Sequence, residues 1–385
     1  MKLPSLRAPT GALLWLLLLP GCALQTLQNS GIGPYLDNHG LEDTLTQLQA
    51  RPPARRDHAL YLLNRGMLHH LLGHYGASNA DLEQAKGILE QVQAASITEG
   101  IAAATLNDTL SDYDATPSER VLLHSLMALN FLALNDLEGA RVEALQADLR
   151  MRELASEDAE LASARFIAAL VFELNREWSD ALIGYRKAAE ILSARKQAIP
   201  RPLQQRLLQL TQRLGLSDEH QRWRERFVPG DGSDAAQADT QSVSDSSGQG
   251  ELLVLYFNGK VPTLQQRMLS LFVPSLNHHV TVAELFYPPA QTPPATTRLR
   301  INEYHLEVER LEDLDQLARQ ALDAGQAKRR ALTMARVVAK HQVVKSTRKK
   351  DPLLGALTDL AAILTEVADT RSWNLLPASL QVGSL

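Results

Sequence analysis

Few side chains in this sequence combine a reactive type with a useful spacing. His70 and His74 stand four apart, the separation at which a helix brings two imidazoles to one ion. No carboxylate follows at matching spacing and His74 falls in a turn, so no metal is expected. His278-His279 sits in a loop with Ser, Leu and Asn and reads as solvated. Asp369, Arg371, Ser372 and Trp373 gather an acid, a base, a hydroxyl and an indole in one short stretch after a helix. Such a set could serve an enzyme or a glycan-binding module, and it can equally cap, pair and pack, which is the favoured use. Lys345, Arg348, Lys349 and Lys350 could meet an anionic partner, and a plain exposed loop is the commoner meaning. The sequence has no Gly-rich phosphate loop, His-Glu-x-x-His pair or Gly-x-Ser-x-Gly elbow. No catalytic residue and no cofactor is expected.

The 385 residues, 45% hydrophobic and 22% charged, can bury a sizeable core and do not read as disordered or as a multi-pass membrane protein. A formal charge of −5 argues against an overall basic nucleic-acid binder. The single cysteine, Cys22, excludes an intramolecular disulfide and a multi-thiolate metal site. It stands behind Lys2, Arg7 and the apolar stretch Ala12 to Leu19, a secretory signal too short to span a bilayer as a stable helix. Leu19-Pro20-Gly21-Cys22 resembles the bacterial lipobox. That resemblance implies a thioether-linked diacyl group on Cys22, cleavage after Gly21 and acylation of the new amino group. Several acyl chains, at ~0.8 kcal/mol per buried methylene, would make the anchor effectively permanent. Ala23 stands where an aspartate would resemble an inner-membrane retention signal, so the expected location is the periplasmic face of the outer membrane.

The elements behind these residues begin with helices. From Arg51 to about Arg195 apolar residues recur at three and four. Three segments share one frame: Gly66, Ser78, Leu82 and Ala85; Ala128, Ala140, Ala144 and Ala147; Ala169, Ala181, Tyr185 and Ala188. A small residue on a first helix, a turn, and a small residue on a second helix resemble the tetratricopeptide repeat. An insertion, approximately Ala94 to Ser118, separates the first two repeats and ends at an N-cap, Ser118. Leu203 to Phe227 reads as a closing hairpin around Gly215. In such a solenoid the first helices line a concave face, and Asn64, Met67, His70, Ser125, Leu129, Leu132, Phe166, Leu170 and Glu173 are the candidates for a partner-binding groove, although some are as readily core.

Residues 229–250 are Ser, Asp, Ala, Gln and Gly-rich, a flexible linker. Beyond it, Leu252 to Phe257 and Val280 to Tyr287 read as strands, Arg298 to Val308 as a third, and Leu314 to Val344 and Leu353 to Ala368 as helices. The expected fold is therefore mainly α: a signal peptide (1–21), a lipidated tether with a first helix (22–50), a tetratricopeptide-like helical-hairpin solenoid (51–228), the linker, and a small α+β domain (251–385). The last part has a basic excess and the rest an acidic one, which could favour docking of one on the other, although solvated surfaces are the commoner case.

Leu63-Asn64-Arg65-Gly66, Leu106-Asn107-Asp108 ahead of Glu119-Arg120-Val121-Leu122, Ala128 to Leu132, Phe257-Asn258-Gly259 with Pro262, Arg330 to Lys340, and Asp369-Thr370-Arg371-Ser372-Trp373 with Leu376-Pro377 resemble a largely uncharacterised family of tetratricopeptide-containing bacterial outer-membrane lipoproteins. Members are often encoded near lipoproteins resembling activators of peptidoglycan synthases. The expected role is a non-catalytic scaffold, membrane-bound through its lipid, that binds an unidentified envelope protein. The contrasting reading is an envelope enzyme or glycan-binding module with its site around Asp369 to Trp373.

Overall fold

The computed structural model describes residues 31–99, 111–154, 160–227, 250–273, 278–289, 297–350 and 368–385. Cys22 with its signal, most of the linker and nearly all of the expected helix Leu353 to Ala368 lie outside the described residues.

Two short helices, α1 (Ile32–His39) and α2 (Leu41–Gln49), lead into four helical hairpins. These are α3 (His58–Leu71) with α4 (Tyr75–Glu99), α5 (Pro117–Ala133) with α6 (Leu137–Leu154), α7 (Ala162–Leu174) with α8 (Trp178–Ala194), and α9 (Arg201–Arg213) with α10 (Ser217–Phe227). All twelve residues of the repeated frame, from Gly66 to Ala188, are buried, as tetratricopeptide-like hairpins require. The small residues permit close crossing. Ser78 Oγ donates to the Gly66 carbonyl at 2.7 Å, and a Cβ on Gly184 would stand 2.8 Å from that of Ala169. Every hairpin turns on one left-handed residue, Gly73, Asn135, Arg176 or Gly215. The N–H of the next residue bonds a carbonyl five positions back, as His74 does to His69 at 2.8 Å, which closes a Schellman motif.

The start of α5 differs from the sequence expectation by two residues. Thr116, not Ser118, is the N-cap; Pro117 opens the helix and Glu119 completes a capping box.

The C-terminal part is a small antiparallel sheet carrying one long helix. Its strands are β1 (Leu253–Asn258), β2 (Gln265–Val273), β3 (His278–Phe286), β4 (Thr297–Ile301), β5 (Tyr304–Asp313) and β6 (Ser379–Ser384), with α11 (Leu314–Lys350) between β5 and β6. The order is β1-β6-β5-β4, with β2 and β3 forming a separate ribbon. The expected strand Arg298 to Val308 is two strands, folded back at Asn302, which takes a positive φ. Strand β2 was not anticipated, and α11 runs through residues 345–350, expected to be a loop. A bulge in β5 breaks the alternation so that Leu311 and Glu312 are both fully buried. Among the described residues no helix is long and apolar enough to cross a membrane.

One apolar core runs through both parts, from Ile32 and Leu48 through the hairpins to Leu311, Trp373, Leu380 and Val382.

Candidate functional site

The stretch 369–373 sits where the sheet meets the helices. It follows α11 and precedes β6, so one end is fixed by the sheet while its side chains reach the 3-10 turn Arg55–Asp57, the segment 111–116 and the start of α5. Arg371 is held on all sides. Its Nη1 donates to Asp57 Oδ1 at 2.9 Å and to the Arg56 carbonyl at 3.2 Å. Nη2 donates to the Ser111 carbonyl at 3.0 Å and to Asp369 Oδ2 at 2.7 Å, and Nε reaches both oxygens of Asp369. Its carbon lies 5.9 Å from the centre of the Tyr113 ring. The side chains of Arg371 and Asp57 are each 5% exposed. Burial opposes the guanidinium charge, yet the ion pairs with Asp369 and Asp57 carry its pKa upward.

Next to it, Trp373 is 1% exposed and its backbone N–H donates to Glu119 Oε1 at 2.6 Å. The other oxygen of Glu119 accepts from the Tyr113 hydroxyl at 2.8 Å and from the Thr116 N–H at 2.7 Å. One carboxylate thus serves as helix cap and as anchor for the C-terminal stretch. Burial pushes the Glu119 carboxyl up despite these donors, and burial beside Glu119 pushes the Tyr113 phenol well up. Ser372 Oγ donates to Asn374 Oδ1 at 2.8 Å. Of the four motif residues, Asp369, Arg371 and Trp373 therefore cap, pair and pack.

The groove candidates are placed differently from one another. Asn64, Met67, Ser125 and Phe166 are buried: Phe166 lies edge-on to Tyr185, and Ser125 Oγ donates to the Val121 carbonyl at 3.2 Å. Neither polar atom of the Asn64 amide has a hydrogen-bond partner among the described residues. Leu129 and Leu132 are half-buried against the core, and Leu170 and Glu173 are half-buried. Four of the nine are thus buried within the helical part and five are half-buried, and the chain's own C-terminal part contacts the first helix of each of the three repeats. His70 on α3 stacks on Phe257 of β1, with centroids 5.6 Å apart. Glu119 on α5 holds Trp373. At the start of α7, Ser163 donates its N–H to Glu312 Oε2 at 3.0 Å.

Further ion pairs join the two parts. Arg195 donates to Glu312 Oε1 at 2.7 Å, and burial raises the Glu312 carboxyl against that pull. Arg206 bridges Glu173 at 2.7 Å and Glu251 at 2.6 Å. Lys260 pairs with Asp37 and donates to the Gly33 carbonyl at 2.8 Å. Cations and anions stand on both sides, so individual pairs rather than net charges make the contact.

Sequence reasoning missed Asp57, Glu251 and Glu312 as partners. Of the cluster, only Glu119 carried a legible signal, the Thr116-Pro117-x-Glu119 capping pattern. Among the described residues no group of three or more His, Cys, Asp or Glu is gathered to hold a metal.

No protein-family model and no curated protein sequence matches the chain. Solved structures do. The apo form of RapI is similar at 12% identity over 50% of each chain, with a TM-score of 0.38. Aspartyl phosphate phosphatase F from Bacillus subtilis is similar at 16% identity over 56% of this chain and 50% of its own, with a TM-score of 0.35. PilF of Pseudomonas aeruginosa is similar at 16% identity over 54% of this chain and 74% of its own, with a TM-score of 0.33. The similarity spans half the length of the first two.

Proposed function

We propose that this chain is a non-catalytic protein-binding scaffold of the bacterial cell envelope, tethered through Cys22 at the periplasmic face of the outer membrane and engaging its partner on the outer side of the repeats. The observation that carries the reading is an apolar stripe on the second helix of a hairpin: Val142, Leu145 and Leu149 on α6 are 52%, 42% and 40% exposed. Their spacing of three and four puts them on one face, the pattern by which one helix offers anchors to another. The first helices are already engaged by the protein's own sheet, which leaves the second helices to face outward. The lipobox-like Leu19-Pro20-Gly21-Cys22 supports the tether, and the use of Asp369, Arg371 and Trp373 in holding the fold favours a scaffold over an enzyme at that motif.

Two measurements test this. Incorporation of labelled palmitate should depend on Cys22, and Cys22→Ala should release the protein from the outer-membrane fraction. A photo-crosslinking residue at position 145 should capture one envelope protein in intact cells, and capture should vanish in Val142→Asp with Leu149→Asp, with no loss of melting temperature. Unchanged capture by that folded double variant would refute the assigned surface, and unlabelled soluble wild-type protein would refute the tether.

A further inference from the structure

The sequence pairs His70 with His74, but the fold exchanges one of them. His70 turns inward, stacks on Phe257 and meets Asn130 Oδ1 through Nδ1 at 2.6 Å. Asn130 uses its own Nδ2 to donate to Ser78 and Asn79, so its oxygen is the acceptor and His70 Nδ1 the donor. The neighbour of His74 is instead His69. Their Nδ1 atoms face each other 3.5 Å apart, with ring centroids 5.7 Å apart and planes tilted by 50°.

That separation is at the outer limit of a hydrogen bond, beyond the ~2.7–3.2 Å usual for N–H···O. It is close to the ~3.3 Å between two nitrogens that each stand about 2.0–2.1 Å from a tetrahedral ion. Two further features hold the pair ready. The Schellman closure that joins the His74 N–H to the His69 carbonyl at 2.8 Å, with Gly73 in the left-handed conformation between them, fixes the two backbones relative to each other. On the far side of His69, its Nε2 lies 3.9 Å from Asp81 Oδ2, and Asp81 is clamped by Arg65 through bonds of 2.7 and 2.5 Å. At that distance Asp81 makes no hydrogen bond to the ring, but its negative charge on the Nε2 side favours the proton there and leaves the Nδ1 lone pair to ligate.

We propose that His69 and His74 are the two protein ligands of a borderline divalent-cation site, for Zn²⁺, Ni²⁺ or Cu²⁺, at the turn of the first hairpin, with water completing the coordination. Imidazole donors suit these ions and not Mg²⁺ or Ca²⁺. His74 is exposed, so the positions opposite the protein are open to solvent. The proposal is independent of the scaffold reading.

The test is calorimetric titration of the chelator-stripped mature protein with ZnCl2 and NiCl2, with MgCl2 alongside. One Zn²⁺ per chain should bind saturably, at least ten-fold more weakly in His74→Ala and in His69→Gln, and equally well in His279→Ala, while Mg²⁺ gives no saturable heat. His74→Ala should melt with the wild type in the absence of metal, so its loss of binding is not a loss of fold. Absence of saturable Zn²⁺ and Ni²⁺ binding by the wild type, or binding that survives His74→Ala unchanged, overturns the proposal.

Discussion

Replacing Arg371 by alanine should be among the most damaging single changes available outside the apolar core. The guanidinium joins Asp57 to Asp369, two carboxylates at opposite ends of the sequence, and supplies donors to the carbonyls of Arg56 and Ser111. Arg371 and Asp57 are both nearly inaccessible, so truncation strands a buried carboxylate, a change that typically costs about 3–5 kcal/mol. That is a large share of the roughly 5–15 kcal/mol by which a domain is stable. Removing both charges tests the assignment more sharply. In Asp57→Asn with Arg371→Met the stranded charge is gone, and the residual loss should fall to about 1–3 kcal/mol, the cost of carbonyls deprived of their donor. Asp369 is 27% exposed, so Asp369→Ala should cost about 1 kcal/mol or less. Urea denaturation followed by far-ultraviolet dichroism and by tryptophan fluorescence reads all three variants. A single variant that unfolds at the wild-type urea concentration, or a double variant no better than the single one, would show that Arg371 does not pin the two parts together.

The carboxyl of Glu119 is raised by burial, so the native state holds its proton more firmly than the unfolded chain does. Its stabilising share is therefore fully present below the unfolded pKa of 4.5 and is lost as pH rises through the raised native value. Urea midpoints of Glu119→Gln, taken from acid to neutral pH, should decline less steeply over that window than those of the wild type; parallel curves would refute the assignment. At the hairpin crossings, Gly184→Ala and Ala181→Leu should each cost about 1–3 kcal/mol by overpacking, even though alanine favours helix over glycine by about 1 kcal/mol. A rise in melting temperature for Gly184→Ala would show that α7 and α8 do not approach as closely as described.

The hairpins were legible because their signal is local and repeated. One frame of small residues recurs, and Gly73, Asn135 and Gly215 are residue types that accept the left-handed turn. Arg176 does the same work without announcing it, and only its place in the frame gives it away. Strand β2 was hidden because Leu269 and Leu271 on one face are matched by Met268 and Phe272 on the other, with the latter two about half exposed, so no alternation marks it. The motif around Trp373 was legible as a cluster but its partners were not. Asp57 lies 314 residues away from Arg371 and is a lone acid among arginines and prolines, a context that carries no pattern. The same limit explains the groove. Periodicity identifies which side of a helix is apolar, but a buried contact with another helix and one with a distant sheet leave the same trace in the sequence.

Strand β6 is made long after β1 and lies between β1 and β5 in the sheet. Neither β1 nor β5 has its full set of ladder partners until residues 379–384 have emerged, and the segment that delivers Arg371 and Trp373 arrives just ahead of them. Until that segment arrives, hairpins that have already formed leave Asp57 without Arg371 and Glu119 without the Trp373 N–H. Pairings so distant in sequence are slow to find, and the interval is one in which a holding chaperone can bind the first-helix surfaces and a protease can cut. Quality control of this protein would then read one late event, the arrival of β6, and variants within Ser379–Ser384 should lower the amount of protein that accumulates more than they lower the stability of the molecules that do fold.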